Sequence, residues 1–380
     1  MNILMTTDTV GGVWTYAIEL CAALRDRGSR VTLATMGPAP SDAQRQEAAR
    51  AGASLRESTW RLEWMDDPWD DVDRAGDWLL ELEREIQPDV IHLSGYAHAN
   101  LPWRAPTLVV AHSCVWSWWR AVHGEDPPSD WREYHGRVSL GLAAADLVLA
   151  PTWAMLAQIE SCYRRLPRMG VIPNARRPEL FEPGEKEDFV FAAGRLWDEA
   201  KNIAALDFIA GDLPWPVRVA GESRHPEGAA EADLGVECLG QLTQAEMVDW
   251  LGRASIYALP ARYEPFGLSA LEAALSGCAL VLGDIPSLRE VWGPAAVYVS
   301  PDDPAELRQA LVDLIGRPRD RERLARKARE RALEMKPGVM AGAYERAYRL
   351  MLDGADLTQP APVRGPAATP AIGSSERQAG

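Results

Sequence analysis

The sequence predicts an α/β protein with two Rossmann-like domains, and three features of the 380-residue chain lead to this prediction. Short apolar runs of strand length alternate with segments long enough to form helices, which is typical of parallel sheets. A turn-rich, charged passage at residues 171–188 divides these runs into two series, as a linker between domains does. Beyond residue 353 the chain is rich in Pro, Ala, Gly and Ser, so we expect a disordered tail there.

The first series opens as a βαβ unit. Its strand, glycine loop, helix and second strand are predicted at residues 2–5, 7–12, 13–27 and 30–34. Three further apolar runs predict the next strands, at residues 89–95, 107–113 and 145–152. This order predicts a parallel sheet for the first domain, which we expect to span residues 1–172.

The second series follows the linker and is expected to form a domain at residues 173–337. Its strand candidates are FVFAAGR, WPVRVAG, VECLGQ, IYALPA and CALVLGD. Helices are expected among them, for example at residues 244–253 and 304–315. The alternation again predicts a parallel sheet covered by helices.

Composition limits the class of function. The formal charge of −15 makes nucleic acid and anionic lipid poor partners, because both are bound mainly through clustered Lys and Arg. No apolar run approaches the roughly 20 residues that span a bilayer, and the N-terminus lacks the pattern of a signal peptide. We therefore expect a cytoplasmic protein without a transmembrane segment. Its five cysteines are scattered, and we interpret them as small buried hydrophobic residues rather than as a disulfide framework.

The most informative motif is RYEPFGLSALEAAL, at residues 262–275. It has two carboxylates, Glu264 and Glu272, on either side of a Pro-Phe-Gly turn that opens a helix after a predicted strand. Ligands of open parallel sheets bind at the carboxyl ends of strands. Free N–H groups at a helix start suit a phosphate, and the carboxylates suit the hydroxyls of a sugar. The motif therefore predicts a site for an anionic, polyhydroxylated ligand.

The glutamate spacing in EPFGLSALEA resembles the signature of retaining glycosyltransferases of family 4. The resemblance implies the GT-B fold, in which two Rossmann-like domains face each other across a cleft and a C-terminal helix crosses back to the first domain. Residues 338–353 are the segment that we expect to form this helix, before the tail at residues 354–380. The first domain would then bind the acceptor, and the second would bind a nucleoside diphosphate sugar.

The resemblance also implies roles for the residues of the motif. Glu264 is expected to contact the hydroxyls of the donor sugar, and Glu272 is expected to contact the ribose. The base is expected between Gly194 and the loop at residues 237–244. The amides at the start of the helix are expected to meet the sugar and the phosphate, namely those of Phe266, Gly267 and Leu268.

Two cations, Arg195 and Lys201, follow the first predicted strand of the second domain. The resemblance implies that they stabilise the diphosphate leaving group, Arg through its planar fork and Lys as a point charge. The spacing between them is one residue longer than the commonest pattern of the family. The alternative interpretation is a surface cluster in which they pair with Asp198 and Glu199.

The first domain contributes a glycine loop and a histidine. Gly11 and Gly12 precede a helix, so their amides can approach a phosphate without side-chain interference, although a tight turn alone also requires glycine. His112 follows a predicted strand, and the resemblance implies a catalytic position beside the donor sugar. The alternative is a polar cap. The loop lacks the G-x-G-x-x-G pattern, which counts against a nicotinamide cofactor.

Trp116, Trp118 and Trp119 follow His112 closely in SCVWSWWRAVHGED. We expect them to form an aromatic platform for a sugar or a hydrophobic acceptor, with core packing as the alternative. The acidic pair Asp71 and Asp73 is interpreted as the start of an exposed helix. We therefore expect no metal and no cofactor besides the substrate.

The expected activity is retaining transfer of a hexose from a nucleoside diphosphate sugar to a hydroxyl. The acceptor would be a glycan, a lipid-linked sugar or a small molecule, in cell-surface glycan or glycoconjugate synthesis. A nucleotide-sugar epimerase and a non-catalytic nucleotide-sugar-binding protein are the alternatives. The sequence leaves open the donor, the acceptor, the oligomeric state and a peripheral membrane contact.

Overall fold

Seven parallel strands form the sheet of the first domain in the computed structural model of the chain, which describes residues 1–163, 166, 168–222 and 235–353. The strands are β1 (Asn2–Asp8), β2 (Arg30–Met36), β3 (Ser54–Glu57), β4 (Val90–Leu93), β5 (Thr107–Val110), β6 (Leu147–Ala150) and β7 (Met169–Val171). Their order is β3-β2-β1-β4-β5-β6-β7. The helices are α1 (Gly12–Arg25), α2 (Asp42–Ala51), α3 (Trp69–Ile86), α4 (Val115–His123), α5 (Arg132–Ala144) and α6 (Trp153–Cys162).

Six parallel strands form the sheet of the second domain. They are β8 (Glu187–Ala193), β9 (Val217–Ala220), β10 (Glu237–Cys238), β11 (Ala254–Leu259), β12 (Ala279–Gly283) and β13 (Val297–Val299), in the order β10-β9-β8-β11-β12-β13. The helices are α7 (Ile203–Ala210), α8 (Gln244–Arg253), α9 (Leu268–Leu275), α10 (Pro286–Trp292), α11 (Pro304–Gly316) and α12 (Pro318–Ala332). The central strands are apolar and buried on both faces, as parallel sheets covered by helices require.

The strand order reverses at equivalent places in the two sheets. In the first sheet β1 lies between β2 and β4, and in the second β8 lies between β9 and β11. Ligands of open α/β sheets bind at such switch points, outside the carboxyl ends of the strands. The glycine loop follows β1, the loop with Arg195 follows β8, and the EPFG turn follows β11. The topology therefore brings the sequence motifs to the two switch points.

The last described helix, α13 (Pro337–Leu352), returns from the second domain to pack on α1. Tyr344 and Tyr348 of α13 belong to the same buried cluster as Tyr16 of α1. His92 of β4 joins the two helices, since its Nε2 lies 3.1 Å from the Tyr16 hydroxyl and its Nδ1 lies 2.6 Å from the Tyr348 hydroxyl. The predicted GT-B architecture, including the helix that crosses back, is confirmed. The tail predicted at residues 354–380 lies outside the described residues.

The second domain is anchored in the first through the EPFG segment. Tyr263 packs in the core of the first domain, where its hydroxyl accepts a hydrogen bond from the Cys114 amide at 3.0 Å. The Thr152 hydroxyl at the start of α6 donates to the Pro265 carbonyl at 3.0 Å. The Glu290 carboxylate of α10 accepts hydrogen bonds from the first two amides of α6. This carboxylate places a negative charge at the positive end of the α6 dipole. These contacts fix the two motif-bearing edges against each other.

Three sequence expectations need correction or comment. The strands β3, β7 and β13 were not predicted, because each is only three or four residues long. Cys238 is exposed in the edge strand β10, so the prediction that all cysteines are buried is wrong for this residue. In the described part of the chain, no helix is both long and apolar enough to cross a bilayer.

Candidate active site

The EPFG turn forms the start of α9. Gly267 has φ +87°, a left-handed conformation that glycine adopts without strain, and it ends the turn immediately before Leu268. Glu264 Oε1 accepts a hydrogen bond from the Gly267 amide at 2.9 Å and a longer one from the Phe266 amide at 3.4 Å. The Phe266 ring is buried and holds the turn against the core. Glu264 therefore fixes the helix start, and two of the three amides predicted to meet the donor, those of Phe266 and Gly267, donate to Glu264 instead.

Lys201 and Glu264 form an ion pair, with 2.6 Å between Nζ and Oε2. The two side chains are only 17% and 13% exposed, so water screens their attraction weakly. Gly194 adjoins the pair, since a Cβ at this glycine would lie 3.4 Å from Lys201 Cγ. The structure thus brings together three residues that the sequence assigned to one site. It also shows that Lys201 pairs with Glu264 and not with Glu199.

Arg195 is held by a carboxylate and an aromatic ring. Its Nη2 donates to Asp198 Oδ2 at 2.7 Å, and its guanidinium carbon lies 4.9 Å from the centre of the Trp197 ring. The side chain is 40% exposed, so part of the guanidinium stays accessible to a ligand. Burial acts to raise the pKa of Asp198, but Arg195, Lys201 and neighbouring N–H donors outweigh it and lower the pKa. Asp198 is therefore a stable anion beside Arg195.

The glycine loop of the first domain faces α9 of the second. A Cβ at Gly12 would lie 3.3 Å from Leu268 Cδ1, so the two loops are nearly in contact. Gly11 has φ +75° and ψ −135°, a conformation that other residues adopt only with strain. The loop thus requires glycine at position 11 for its shape, and the close approach at Gly12 leaves little room between the two walls of the cleft.

His112 presents a buried ring nitrogen at the same edge of the first sheet. Its Nε2 has no hydrogen-bond partner among the described residues, and its ring lies edge-on to Tyr16 at 4.4 Å. Burial lowers the pKa of His112 to about 3, so the ring is neutral near pH 7. A buried polar atom without a partner is costly, which makes Nε2 a candidate contact for a ligand hydroxyl.

Glu272 is held by a residue that the sequence interpretation missed. Arg176 Nε lies 2.8 Å from Glu272 Oε1, and Arg176 Nη1 donates to Glu19 Oε1 at 2.7 Å. Burial raises the pKa of Glu272, an effect that Arg176 opposes. Arg176 comes from the linker, Glu19 from α1 and Glu272 from α9, so this ion network joins both domains to the linker. The two consecutive arginines at residues 176 and 177 were the only available sequence signal.

Three glycines meet where the donor base was expected. The Gly194 amide donates to the Ala220 carbonyl at 3.0 Å, and the Gly221 amide donates to the Gly240 carbonyl at 2.9 Å. A Cβ at Gly221 would lie 1.7 Å from the Gly194 carbonyl oxygen, a distance that excludes any side chain. Gly194 and the loop at residues 237–244 are thus joined through Gly221, with backbone groups at the carboxyl ends of β8 and β9.

Comparison with known proteins identifies the family. The family model described as Glycosyltransferase Family 4 matches residues 10–180, and the one described as Glycosyl transferases group 1 matches residues 187–317. A glycogen synthase of Mycobacterium tuberculosis is 41% identical over 382 residues, covering 87% of this chain and 90% of that protein. The chain belongs to glycosyltransferase family 4. The predicted family is thereby confirmed, and the enzyme is a glycosyltransferase.

Other relatives support the same family and fold. A D-inositol 3-phosphate glycosyltransferase of Xylanimonas cellulosilytica is 26% identical, covering 85% of this chain and 88% of that protein. Sucrose-phosphate synthase from Thermosynechococcus elongatus superposes with a TM-score of 0.79 at 17% identity, covering 93% of this chain and 100% of that one. Anabaena HepE in complex with UDP-glucose gives a TM-score of 0.74 at 16% identity, covering 92% and 99%. At such identities the structural likeness shows the fold.

The tryptophans of α4 in the glycosyltransferase pack against neighbouring rings of the first domain. The Trp116 ring lies 4.4 Å from the His135 ring, and Trp119 packs beside Trp118 and His123. Trp116 thus packs within the first domain, which favours the core interpretation for this residue. Trp118 donates from Nε1 to Asp198 Oδ1 at 3.0 Å. Trp118 therefore links α4 to the loop that follows β8 in the second domain.

Asp8, at the end of β1, is a further carboxylate at the edge of the cleft. Its Oδ1 accepts from the Val10 amide at 2.8 Å. Burial raises the pKa of Asp8 from 3.8 to about 6, although the Val10 amide and the charge of Arg195 act in the opposite direction. Asp8 thus holds a proton in the folded glycosyltransferase at a pH at which the unfolded chain has released it.

Asp8→Asn is expected to raise the stability of the glycosyltransferase more at pH 7 than at pH 4.5. Between about pH 4 and pH 6 the folded state binds one more proton than the unfolded state, so the stability that this group contributes falls as the pH rises. The amide side chain removes this dependence and can still accept from Val10. Urea unfolding of the variant and the unmodified protein at several pH values measures the difference between their free energies of unfolding. The contributions of other titrating groups largely cancel in this difference. A stability gain that stays constant or becomes smaller as the pH rises would contradict this prediction.

Proposed function

We propose that this glycosyltransferase transfers glucose, with retention of configuration, from a nucleoside diphosphate glucose to a hydroxyl of an α-glucan chain. The observation that carries the general reaction is the ion pair of Lys201 and Glu264 before α9, with Arg195 in the same loop after β8 as Lys201. The choice of glucose and glucan is supported by the relative named glycogen synthase, which is similar over most of both chains. Two cations and a helix N-terminus suit a diphosphate, and a carboxylate beside them suits sugar hydroxyls.

The proposed reaction breaks the bond between the anomeric carbon and the diphosphate oxygen. The acceptor oxygen forms a bond to the same carbon on the same face, and its proton passes to the departing phosphate oxygen. Arg195 and Lys201 would neutralise the charge that grows on the leaving group, an effect worth about 3 kcal/mol for one preorganised donor. No separate general base is required, and closure of the cleft limits hydrolysis of the donor.

The remaining predicted residues would hold the donor. Glu264 would accept hydrogen bonds from the sugar, and Glu272 would accept them from the ribose. Gly11, Gly12 and the Leu268 amide would border the diphosphate, while the Phe266 and Gly267 amides hold Glu264. His112 would contact the sugar through its neutral ring. The reaction is proposed to require no metal, because the two cations and the start of α9 supply the positive charge.

The proposal is tested first by measuring thermal unfolding with UDP, GDP, ADP and TDP in EDTA. A ligand at about a hundred times its dissociation constant adds roughly 2.7 kcal/mol of stability. The nucleotide that stabilises the protein then selects the glucose donor, which is assayed with malto-oligosaccharides in EDTA. We expect chain elongation by α-linked glucose, detected by its sensitivity to an α-glucosidase.

Other outcomes would change specific parts of the proposal. Transfer from a mannose donor alone would replace glucose, and some relatives are named mannosyltransferases. Transfer only to a lipid-linked or glycoconjugate acceptor would replace the glucan and restore the cell-surface expectation. A β-linked product would overturn retention. Strict dependence on a divalent ion would overturn the metal-free reaction.

A further inference from the structure

Helix α4 of the first domain is hydrogen-bonded to both donor loops of the second. Tyr263 precedes Glu264 in the sequence. Its hydroxyl accepts a hydrogen bond from the Cys114 amide at 3.0 Å and lies 2.9 Å from the Ser117 hydroxyl. One residue further along α4, Trp118 Nε1 donates to Asp198 at 3.0 Å. The helix therefore contacts the loop after β11 and the loop after β8 at the same time.

Asp198 is the junction between α4 and the cation of the donor loop. It is buried, and both of its carboxylate oxygens are used. Oδ1 accepts from Trp118 Nε1 at 3.0 Å and from the Ala200 amide at 3.1 Å, while Oδ2 accepts from Arg195 Nη2 at 2.7 Å. A change in the orientation of this carboxylate must therefore change the position of the guanidinium.

The geometry has a consequence for Arg195, whose long side chain is 40% exposed. An exposed arginine samples many rotamers, and holding it in one conformation before the ligand arrives removes part of the cost of binding and catalysis. Asp198 supplies this restraint from within the second domain. Trp118 restrains Asp198 from the first domain, across the interface.

We propose that Asp198 is a positioning residue for Arg195, and that Trp118 completes this arrangement only when the two domains are docked. The inference rests on the proposed role of Arg195 as a diphosphate-binding cation. It adds that the leaving-group site is assembled from both domains, so a donor bound to separated domains would be cleaved slowly. The hydrogen bond from Trp118 thus couples domain docking to catalysis.

The test compares Trp118→Phe, Asp198→Asn and the double variant by steady-state kinetics of nucleoside diphosphate release. Trp118→Phe removes only the indole N–H and part of the ring. Asp198→Asn retains an oxygen that accepts from Trp118 and Ala200 but cannot accept from Arg195 through its amide nitrogen. We expect Trp118→Phe to lower kcat about fivefold to tenfold with the KM of the acceptor unchanged within about twofold.

The decisive result is the effect of Trp118→Phe on kcat in two backgrounds, the unmodified enzyme and the Asp198→Asn variant. If Trp118 acts through Asp198, its loss lowers kcat by less than about twofold once Asp198→Asn has released Arg195. The same factor in both backgrounds, or no effect in either, would overturn the inference. The matched control is Trp103→Phe, which removes an indole bond to the His98 carbonyl within the first domain and is expected to leave kcat unchanged.

Arg195→Ala separates failure of this inference from failure of the proposed function. We expect this variant to lower kcat at least about tenfold, or roughly 1.4 kcal/mol. If Arg195→Ala reduces the rate and the Trp118 and Asp198 variants do not, the inference fails and the role of Arg195 stands. If Arg195→Ala is fully active, the proposed diphosphate site itself is wrong.

Discussion

Lys201→Met is expected to lower kcat by about 100-fold or more, because it removes a preorganised cation from the proposed leaving-group site. Lys201 Nζ lies 2.6 Å from Glu264 Oε2, and both side chains are largely buried. Methionine keeps most of the length and apolar volume of the side chain, so the change removes mainly the charge. The loss also leaves the Glu264 carboxylate without its cation, beside the expected sugar. The rate of nucleoside diphosphate release at saturating donor measures the effect.

Lys186→Met is the matched control for this prediction. Lys186 is also a partly buried lysine of the second domain, but its Nζ donates to the carbonyls of Gly252 and Ser276, at 2.8 and 2.7 Å. We expect this variant to lose stability and to keep the kcat of the unmodified enzyme while folded. A Lys201→Met rate within about threefold of the unmodified enzyme would remove Lys201 from the catalytic site.

The helices around the site could be predicted from local sequence signals. The structure has α8 at residues 244–253, the bounds that the sequence predicts, and α9 begins directly after the turn that was predicted to open a helix. Thr243 and Glu246 form a capping box before α8, and Gly267 ends the turn before α9. These signals lie within a few residues of the helix that they start. Local chemistry therefore fixed these bounds without any tertiary information.

The contacts between domains could not be predicted in the same way. Trp118 and Asp198 are 80 residues apart, and Tyr263 lies 149 residues from Cys114, whose amide donates to its hydroxyl. No periodicity or motif links such positions, because the pairing depends on how two separately formed sheets dock. Sequence reasoning consequently proposed an acceptor platform for the tryptophans of this segment and could not show that Trp118 bonds to Asp198.

The charged groups of the site balance each other before any donor arrives. Arg195 pairs with Asp198 and Lys201 pairs with Glu264, so two cations and two carboxylates cancel. The carboxylates hold the cations in place, which limits reorganisation when a diphosphate binds. The remaining N–H donors of Arg195 and the start of α9 would then supply the additional attraction. This balance explains how two cations can be kept close together in a partly buried cleft.

Arg176→Met is expected to destabilise the fold by about 3–5 kcal/mol, since it removes the cation from a buried ion network. Arg176 is buried and pairs with both Glu19 and Glu272, at 2.7 and 2.8 Å. Without it, the Glu272 carboxylate loses the group that opposes the rise in its pKa, so Glu272 binds a proton at higher pH. The loss of stability should therefore shrink as the pH falls from 7 to 5. Urea unfolding at these pH values measures both effects.

Arg177→Met provides the control, because the adjacent arginine contacts one of the same carboxylates from a more exposed position. Its Nε lies 3.1 Å from Glu19 Oε2, and its side chain is 47% exposed. An exposed arginine contributes at most about 1 kcal/mol in such a pair. Equal destabilisation by the two variants would show that Glu19 alone carries the network. A larger loss for Arg176→Met, with weaker nucleotide binding while folded, would show that the linker holds Glu272 in position for the donor.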